Sequence, residues 1–229
     1  YITAYLKANF PAEYMSSVLT HESNDIEKVA ESVAECKRMK LDVLPPDINE
    51  SFSGFTVIKN TETGNDQIRF GLTCIKNFGE GIADAIIKER KASGKFKSLA
   101  SFLERIKDRN LNKKSLDALI KCGAMDAYGE RGQLLGNMDA LLEFNKESSK
   151  GPKSQDSLFG ALQIGESTLS LQKYAEATQN EKLSWEKELL GLYISGHPLD
   201  KFRAKMEAKG ISIEKVKAGS QNGQSVMII

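Results

Sequence analysis

Apolar residues recur at helical spacing over the first part of the chain. The spacing holds on both sides of Pro11, which suits the first turn of a helix because that position needs no amide donor. A further apolar face carries Ile26 and Val29, and either Asn24 or Asp25 can cap the helix that bears it. The pattern therefore predicts two helices around Pro11 and a third one after them.

Two β-prone runs follow a stretch that proline keeps extended. Consecutive prolines exclude a helix over residues 43–49 and predict a rigid extended connector. Residues 55–58 and 67–70 are β-prone, and residues 60–66 between them are rich in turn formers. We expect the two runs to pair as a hairpin.

The second half of the chain alternates between helical and irregular patterns. Short helices separated by Gly, Asn and Asp are predicted over residues 71–144. Ser, Lys, Gly and Pro then dominate residues 146–157, a composition that buries too little apolar surface to order itself, so we expect a linker. Helical spacing returns at 181–193 and at 199–209, while residues 225–229 are typical of a strand. A chain that starts without Met and stops inside a strand is expected to be part of a longer protein.

Composition indicates a globular protein of the cytoplasm. The 32 basic and 31 acidic residues give a net charge of +1, so the whole-chain charge alone does not indicate a nucleic-acid partner. Cys36, Cys74 and Cys122 are odd in number and widely spaced, which favours buried, reduced thiols over disulfides or a zinc site. No apolar run approaches the roughly 18 residues of a membrane span, and the first residues do not resemble a signal peptide, so we expect no membrane partner.

Residues 72–90 have the pattern of a helix, a tight turn and a second helix. Gly79 and Gly81 allow positive φ and close approach of a ligand, and Asn77 is one of the few other residues that tolerate the left-handed conformation. The helix that begins next would point its free amides and its positive dipole end at the turn, which predicts a phosphate site. A plain helix-helix turn that needs glycine for packing is an equal alternative.

The local charge favours a nucleic-acid contact. Residues 73–125 contain twelve basic and six acidic residues, a net charge of +6 within a nearly neutral chain. Such a basic unit suits a DNA contact that is independent of sequence and weakens as salt rises.

A second helix-turn-helix pattern lies in the same region. Leu99, Phe102, Leu103 and Ile106 share one helical face, residues 107–110 form a turn without glycine, and Asn112 can cap residues 113–122. Three cations can hold a phosphate here, namely Arg109, Lys113 and Lys114. A solvated charged face is the more common meaning of such residues.

Several stretches in the same order resemble one family. The chain is similar to the alpha subunits of bacterial DNA polymerase III, replicative polymerases of the C family. The stretches that carry the resemblance are residues 4–15, Leu44-Pro45-Pro46-Asp47-Ile48-Asn49, Ile68-Arg69-Phe70-Gly71-Leu72, and Leu189 and Gly191-Leu192-Tyr193 with Ser195-Gly196-His197-Pro198-Leu199.

The resemblance implies tandem helix-hairpin-helix motifs that bind duplex DNA behind the growing end. The DNA-binding residues implied are Lys76, Asn77, Phe78, Gly79, Gly81, Arg109, Lys113 and Lys114. Asn77 departs from the family pattern, which has glycine at this position, and it is expected to keep the turn but weaken the grip.

The family also places a clamp-binding peptide after these motifs. Gln155-Asp156-Ser157-Leu158-Phe159 matches its Gln-x-x-Leu-Phe form. Leu158 and Phe159 would anchor in an apolar groove of the sliding clamp while the amide of Gln155 supplies a directional hydrogen bond. The alternative is an ordinary amphipathic start to the next helix.

Together these patterns predict a mainly α, multi-part fold that contains helix-hairpin-helix motifs, a small β-hairpin and a truncated β segment at the C-terminus. The parts expected are the end of the fingers (1–50), a β-hairpin connector (51–72), the tandem hairpin unit (73–145), a linker with the clamp peptide (146–165), a helical segment (166–210) and the start of an OB domain (211–229).

The chemistry of nucleotide transfer is not expected within this chain. The family holds Mg²⁺ on palm aspartates, and no such set is found, so the sequence assigns no catalytic residue, metal ligand or cofactor here. The predicted role is to hold duplex DNA and to tether to the sliding clamp, with further replicase subunits left open as partners. The alternatives are a stand-alone helix-hairpin-helix module of a repair or recombination protein, and a pure interaction scaffold.

Overall fold

The computed structural model describes residues 1–60, 64–149 and 169–202. The chain divides into two compact units, Tyr1–Ser195 and Gly196–Ile229. In the second unit only residues 196–202 are described, and they include a 3-10 turn at Asp200–Phe202. The predicted clamp peptide at 155–159 and the predicted OB segment at 211–229 lie outside the described residues. The finer sequence-based division into six parts stays a prediction.

Three helices open the first unit. They are α1 (Ile2–Asn9), α2 (Pro11–His21) and α3 (Ile26–Arg38). Pro11 stands at the first position of α2, as its missing amide hydrogen favours. Asp25, not Asn24, caps α3, since its Oδ1 accepts hydrogen bonds from the amides of Glu27 at 3.2 Å and Lys28 at 3.3 Å.

A three-stranded sheet follows, with strand order β1-β3-β2. The strands are β1 (Val43–Leu44), β2 (Thr56–Lys59) and β3 (Asp66–Arg69). β2 and β3 pair antiparallel with Val57 opposite Ile68, which is the predicted hairpin. β1 pairs parallel with β3 and was not predicted as a strand; the prolines that follow it keep it to two residues.

Six helices complete the described part of the chain. They are α4 (Glu80–Ser93), α5 (Leu99–Arg105), α6 (Lys113–Lys121), α7 (Arg131–Gly136), α8 (Met138–Ser149) and α9 (Gln179–Leu190). The fold is therefore mainly α with a small sheet, as predicted. α8 continues to Ser149, four residues into the segment that the sequence assigns to a linker.

One hydrophobic cluster connects the sheet with the hairpin helices. Ile68 of β3 and Ile82 of α4 are both buried in it. Hydrogen bonds attach the segment before β2 to α4, because Arg90 donates to the carbonyls of Ile48 and Ser51, both at 2.8 Å. The sheet and α4 therefore hold a fixed position relative to each other.

The three cysteines are free thiols. Cys36 and Cys122 are buried, and burial raises the pKa of Cys36 to about 11 and that of Cys122 to about 12. Cys74 is only partly buried, so the expectation of three buried cysteines holds for two of them.

None of the helices in the described ranges is both long enough and apolar enough to cross a membrane.

Candidate nucleic-acid interface

The first hairpin turn joins a 3-10 turn at Leu72–Cys74 to α4. Asn77 supplies its left-handed residue, with φ of 66°. Gly79 is the N-cap of α4 with φ of −77°, and Gly81 lies in the first turn of the helix without positive φ. Neither glycine uses the positive φ that it allows, and Asn77 supplies the left-handed residue of the turn instead.

The amides at the start of α4 are open. Among the described residues, the amides of Gly79, Glu80 and Gly81 have no hydrogen-bond acceptor, and no side chain caps the helix. All three residues are exposed. A Cβ built on Gly79 would meet nothing within 4 Å, so packing does not require glycine there. The turn thus presents unpaired donors at a positive helix end, which is the geometry that binds phosphate.

Two contacts with the rest of the protein hold the first hairpin turn in place. The side chain of Phe78 is only 6% exposed and belongs to the hydrophobic core. Phe78 therefore anchors the turn with its ring and offers a ligand only its backbone. The amide of Lys76 donates to the carbonyl of Leu189 at 2.9 Å, which holds the end of α9 against the turn, while the Lys76 side chain is exposed.

The second hairpin turn differs from the first because its amides are already bonded. Asn112 Oδ1 accepts from the amides of Lys114 at 3.0 Å and Ser115 at 3.1 Å, and Ser115 Oγ accepts from the amide of Asn112 at 2.9 Å. This capping box confirms Asn112 as the predicted cap. Asp108 Oδ1 accepts from the amide of Asn110 at 2.7 Å. The second turn can therefore hold an anion through side chains rather than through these amides.

The cations predicted at the second turn are exposed but not equivalent. Lys113 pairs with Asp139 at 3.1 Å, in an ion pair whose side chains are 69% and 89% exposed. Arg109 and Lys114 have no carboxylate within ion-pair distance in the described ranges. Such an exposed pair costs little to break, so all three cations are available to a polyanion.

Unpaired cations concentrate around the two hairpins. Seven exposed basic residues between residues 73 and 125 lack an ion-pair partner in the part of the chain that the structure describes, namely Lys76, Lys88, Lys91, Lys97, Lys107, Arg109 and Lys114. The Arg90 guanidinium, by contrast, is buried against carbonyl groups. The local net charge of +6 therefore includes a residue that holds the fold together. Arg90 lies four residues after Ile86 and eight after Ile82, on the same helical face, and this spacing is the sequence signal for its burial.

The charged contacts that sequence reasoning missed lie between α7 and α9. Arg131 is 4% exposed and donates to Asp126 at 2.8 Å and to Glu186 at 3.1 Å. Glu186 in turn accepts from the amides of Ile194 and Ser195, both at 3.0 Å. Arg131 and Glu186 lie 55 positions apart in sequence, and no local pattern connects them. Within the described ranges, no group of three or more His, Cys, Asp or Glu side chains could hold a metal ion.

Comparison with known proteins agrees with this geometry. The helix-hairpin-helix motif family matches residues 40–134. The chain is 40% identical over 222 residues to DNA polymerase III subunit alpha of Deinococcus radiodurans, covering 95% of this chain and 16% of the relative. It is 37% identical to the protein of that name from Thermus aquaticus, covering 94% of this chain and 17% of the relative. For the protein of that name from Borreliella burgdorferi the identity is 41%, covering 91% and 18%.

The matched motif covers the part of the chain that carries both hairpin turns, residues 40–134. The resemblance to the DNA polymerase III alpha subunit family is confirmed, and this chain is a relative of one segment of those proteins. It spans about a sixth of the length of the curated relatives that it matches.

Proposed function

We propose that this chain is the part of a replicative DNA polymerase III alpha subunit that holds duplex DNA without regard to sequence and tethers the enzyme to the sliding clamp. The observation that carries the proposal is the open amide group at Gly79, Glu80 and Gly81, set among exposed cations that have no ion-pair partner in the described residues. Backbone amides and lysines recognise phosphate position but not bases.

A salt titration of duplex binding by the 229-residue chain tests the DNA part of the proposal. The logarithm of the association constant should fall linearly with the logarithm of salt concentration, with a slope of about −0.9 for each phosphate neutralised. The affinity should be the same for duplexes of unrelated sequence. No duplex binding even at low salt would leave the interaction scaffold as the better reading, whereas a strong preference for branched DNA would favour a repair or recombination module.

Gly79→Val tests how much the unpaired amides at the start of α4 contribute to duplex binding. A valine side chain at this position would cover the donors and should weaken duplex binding. Ala34→Val is the matched control, because it adds a valine side chain at an exposed position of α3. Equal affinity of both variants and the parent chain at low salt would remove the first turn from the interface.

The clamp part of the proposal rests on Gln155, Leu158 and Phe159. Replacing Leu158 and Phe159 with alanine should abolish retention by the immobilised sliding clamp and leave duplex affinity unchanged. Leu162→Ala with Ile164→Ala is the control, since it removes comparable apolar surface just beyond the peptide. Loss of retention in both double variants alike would favour the amphipathic-helix alternative.

Nucleotide transfer itself is assigned to the whole protein, with Mg²⁺ on aspartates outside this chain. A cytoplasmic location and the use of further replicase subunits follow from the same proposal. They are tested on the full-length protein, by fractionation and by co-purification.

A further inference from the structure

The first hairpin turn rests on a helix that comes much later in the chain. The amide of Lys76 donates to the carbonyl of Leu189 at 2.9 Å. Leu189 lies in the last turn of α9, where carbonyls have no partner within the helix. Among the described residues, this is the only backbone hydrogen bond that joins Lys76 or Asn77, the tip of the turn, to another element. The tip therefore takes its position from the end of α9.

A cavity lies behind the tip. It measures about 350 Å³ and lies between the turn, the start of α3 and the end of α9. Its lining includes Lys76, Asn77 and Phe78 from the turn, Ile26 from α3, and Leu189 and Leu190 from α9. Because side chains do not fill this space, close packing does not hold the tip on that side. The hydrogen bond to Leu189 supports it there instead.

The end of α9 is itself fixed. Leu189 and Leu190 are buried, with exposed fractions of 4% and 2%. Gly191 ends the helix in the left-handed conformation, with φ of 78°. A Cβ on Gly191 would overlap the side chain of Ile26, so this glycine lets α9 end directly against the first residue of α3. The carbonyl of Leu189 is thus presented to the turn at a defined position.

The inward bond of Lys76 determines which donors the turn leaves open. It directs one amide into the protein, and the amide of Phe78 is likewise bonded, to the carbonyl of Ile75 at 3.1 Å. The amides of residues 79–81 follow at once and have no acceptor in the described part of the chain. Donors that are held in place before a ligand arrives bind it more tightly, because less ordering is left to oppose binding.

We propose that the end of α9, residues 189–191, positions the first hairpin turn for phosphate binding, an inference that rests on the duplex binding proposed above. The matched helix-hairpin-helix motif ends at residue 134, so the grip on the duplex depends on a helix outside that motif. Leu189 is a positioning residue, since its carbonyl contacts the turn and not the ligand.

Two leucines of α9 provide the test and its matched control. Leu190 lines the cavity behind the turn, whereas Leu183 lies in the first half of the helix, and both are buried. Leu190→Ala and Leu183→Ala in the complete chain remove the same atoms, and both should lower the melting temperature. At a temperature where both variants are folded, Leu190→Ala should weaken duplex binding by about tenfold, the scale of one hydrogen bond to a charged group. Leu183→Ala should keep the parent affinity, and neither variant should change the salt slope, because no cation is removed.

A double variant separates positioning from a general loosening of the fold. Gly79→Val covers the open amides, so adding Leu190→Ala to it should cause little further loss of affinity. Two losses that add in full would mean that α9 does not act through these amides, and the proposal would be overturned. Equal losses in Leu190→Ala and Leu183→Ala would overturn it as well.

Hydrogen exchange at the Lys76 amide reports the contact directly. Leu190→Ala should accelerate this exchange, and Leu183→Ala should not. Gly191→Ala moves the end of α9 without opening a cavity, and it should accelerate exchange and weaken binding in the same way. Adding Ile26→Ala to Gly191→Ala removes the overlapping side-chain atom and should restore part of both.

The outcomes separate the positioning role from the proposed function. Slow exchange at Lys76 in both Leu190→Ala and Gly191→Ala would show that the end of α9 does not hold the turn. Fast exchange with the parent affinity would show that duplex binding does not need the turn to be held. Either result overturns the positioning role and leaves the proposed function standing. Absence of any duplex binding by the parent chain overturns the proposed function itself.

Discussion

Gly81 lies directly against Asn110: a Cβ built on Gly81 would stand 3.4 Å from Asn110 Nδ2. The first residue belongs to the start of α4 and the second to the turn before α6, so the two hairpin turns are neighbours on one surface. The turn with the open amides and the turn with the unpaired cations therefore lie next to each other. A duplex on this surface would meet both kinds of donor.

Gly71 and Gly79 form a matched pair for testing which glycines the fold needs. Their backbones are nearly identical, with φ and ψ of −81° and 150° at Gly71 and −77° and 151° at Gly79. A Cβ on Gly71 would overlap the backbone of Ser53 and Gly54, whereas one on Gly79 would meet open space. Gly71→Ala should lower the free energy of unfolding in urea by about 1–3 kcal/mol, and Gly79→Ala by less than about 1 kcal/mol. Similar losses in both variants would contradict this assignment.

The sequence predicted the elements whose signals are local. Caps, the proline that starts α2 and the two β-prone runs all act within a few residues, and they lie where the pattern indicated. β1 was missed because a two-residue strand exists only through its pairing with β3. The Arg131–Glu186 contact was missed for the same reason, since its partners come together only in the folded chain.

The positions of the two hairpin turns were predicted from the sequence, but their detailed conformation was not. Glycine content indicates where a left-handed residue is allowed, and Asn77 took that role while Gly79 and Gly81 did not. Residue counting likewise cannot separate Arg90, which is buried, from the exposed lysines around it. Only the tertiary packing decides which charges face solvent.

Asn77→Gly should stabilise the chain and improve its grip on DNA. Asn77 has φ of 66°, a conformation that costs other L-residues about 1–2 kcal/mol and costs glycine least. The variant should raise the melting temperature and strengthen duplex binding, because it relieves strain next to the open amides. Lys40→Gly is the control, since Lys40 also has a positive φ, of 60°, but lies just after α3 and not in the first hairpin turn. It should raise stability without strengthening binding; a gain in affinity for Lys40→Gly, or none for Asn77→Gly, would count against the role of Asn77.

The buried pair of Arg131 and Glu186 should contribute far more to stability than an exposed pair. Their side chains are 5% and 2% exposed. Glu186→Ala should lower the free energy of unfolding by about 3 kcal/mol, because it leaves part of a buried charge and two amides without an acceptor. The Lys113–Asp139 pair is the control, and its double-mutant cycle in urea should give less than about 1 kcal/mol. The same cycle applied to Arg131 and Glu186 should give a clearly larger coupling energy, and equal values for the two pairs would refute the difference.

Acid should loosen the segment before α9 by protonating Glu130. Its carboxylate accepts from the amides of Gly132 at 2.7 Å and Ala177 at 3.1 Å, and it pairs with Lys182 at 2.9 Å. Burial alone would raise the pKa of Glu130, but the hydrogen bond from Lys182 and those from the backbone amides outweigh it, so the pKa is lowered. A lowered pKa in the folded state means that the stabilisation is present above the unfolded value of about 4.3 and is lost as pH falls through the folded pKa. After correction for the intrinsic rate, hydrogen exchange at the Ala177 amide should accelerate over that acidic range. In Glu130→Gln the protection should be weaker and independent of pH there, because no charge is left to titrate. A parent chain whose Ala177 protection stays constant down to the folded pKa and below it would show that Glu130 does not hold this segment.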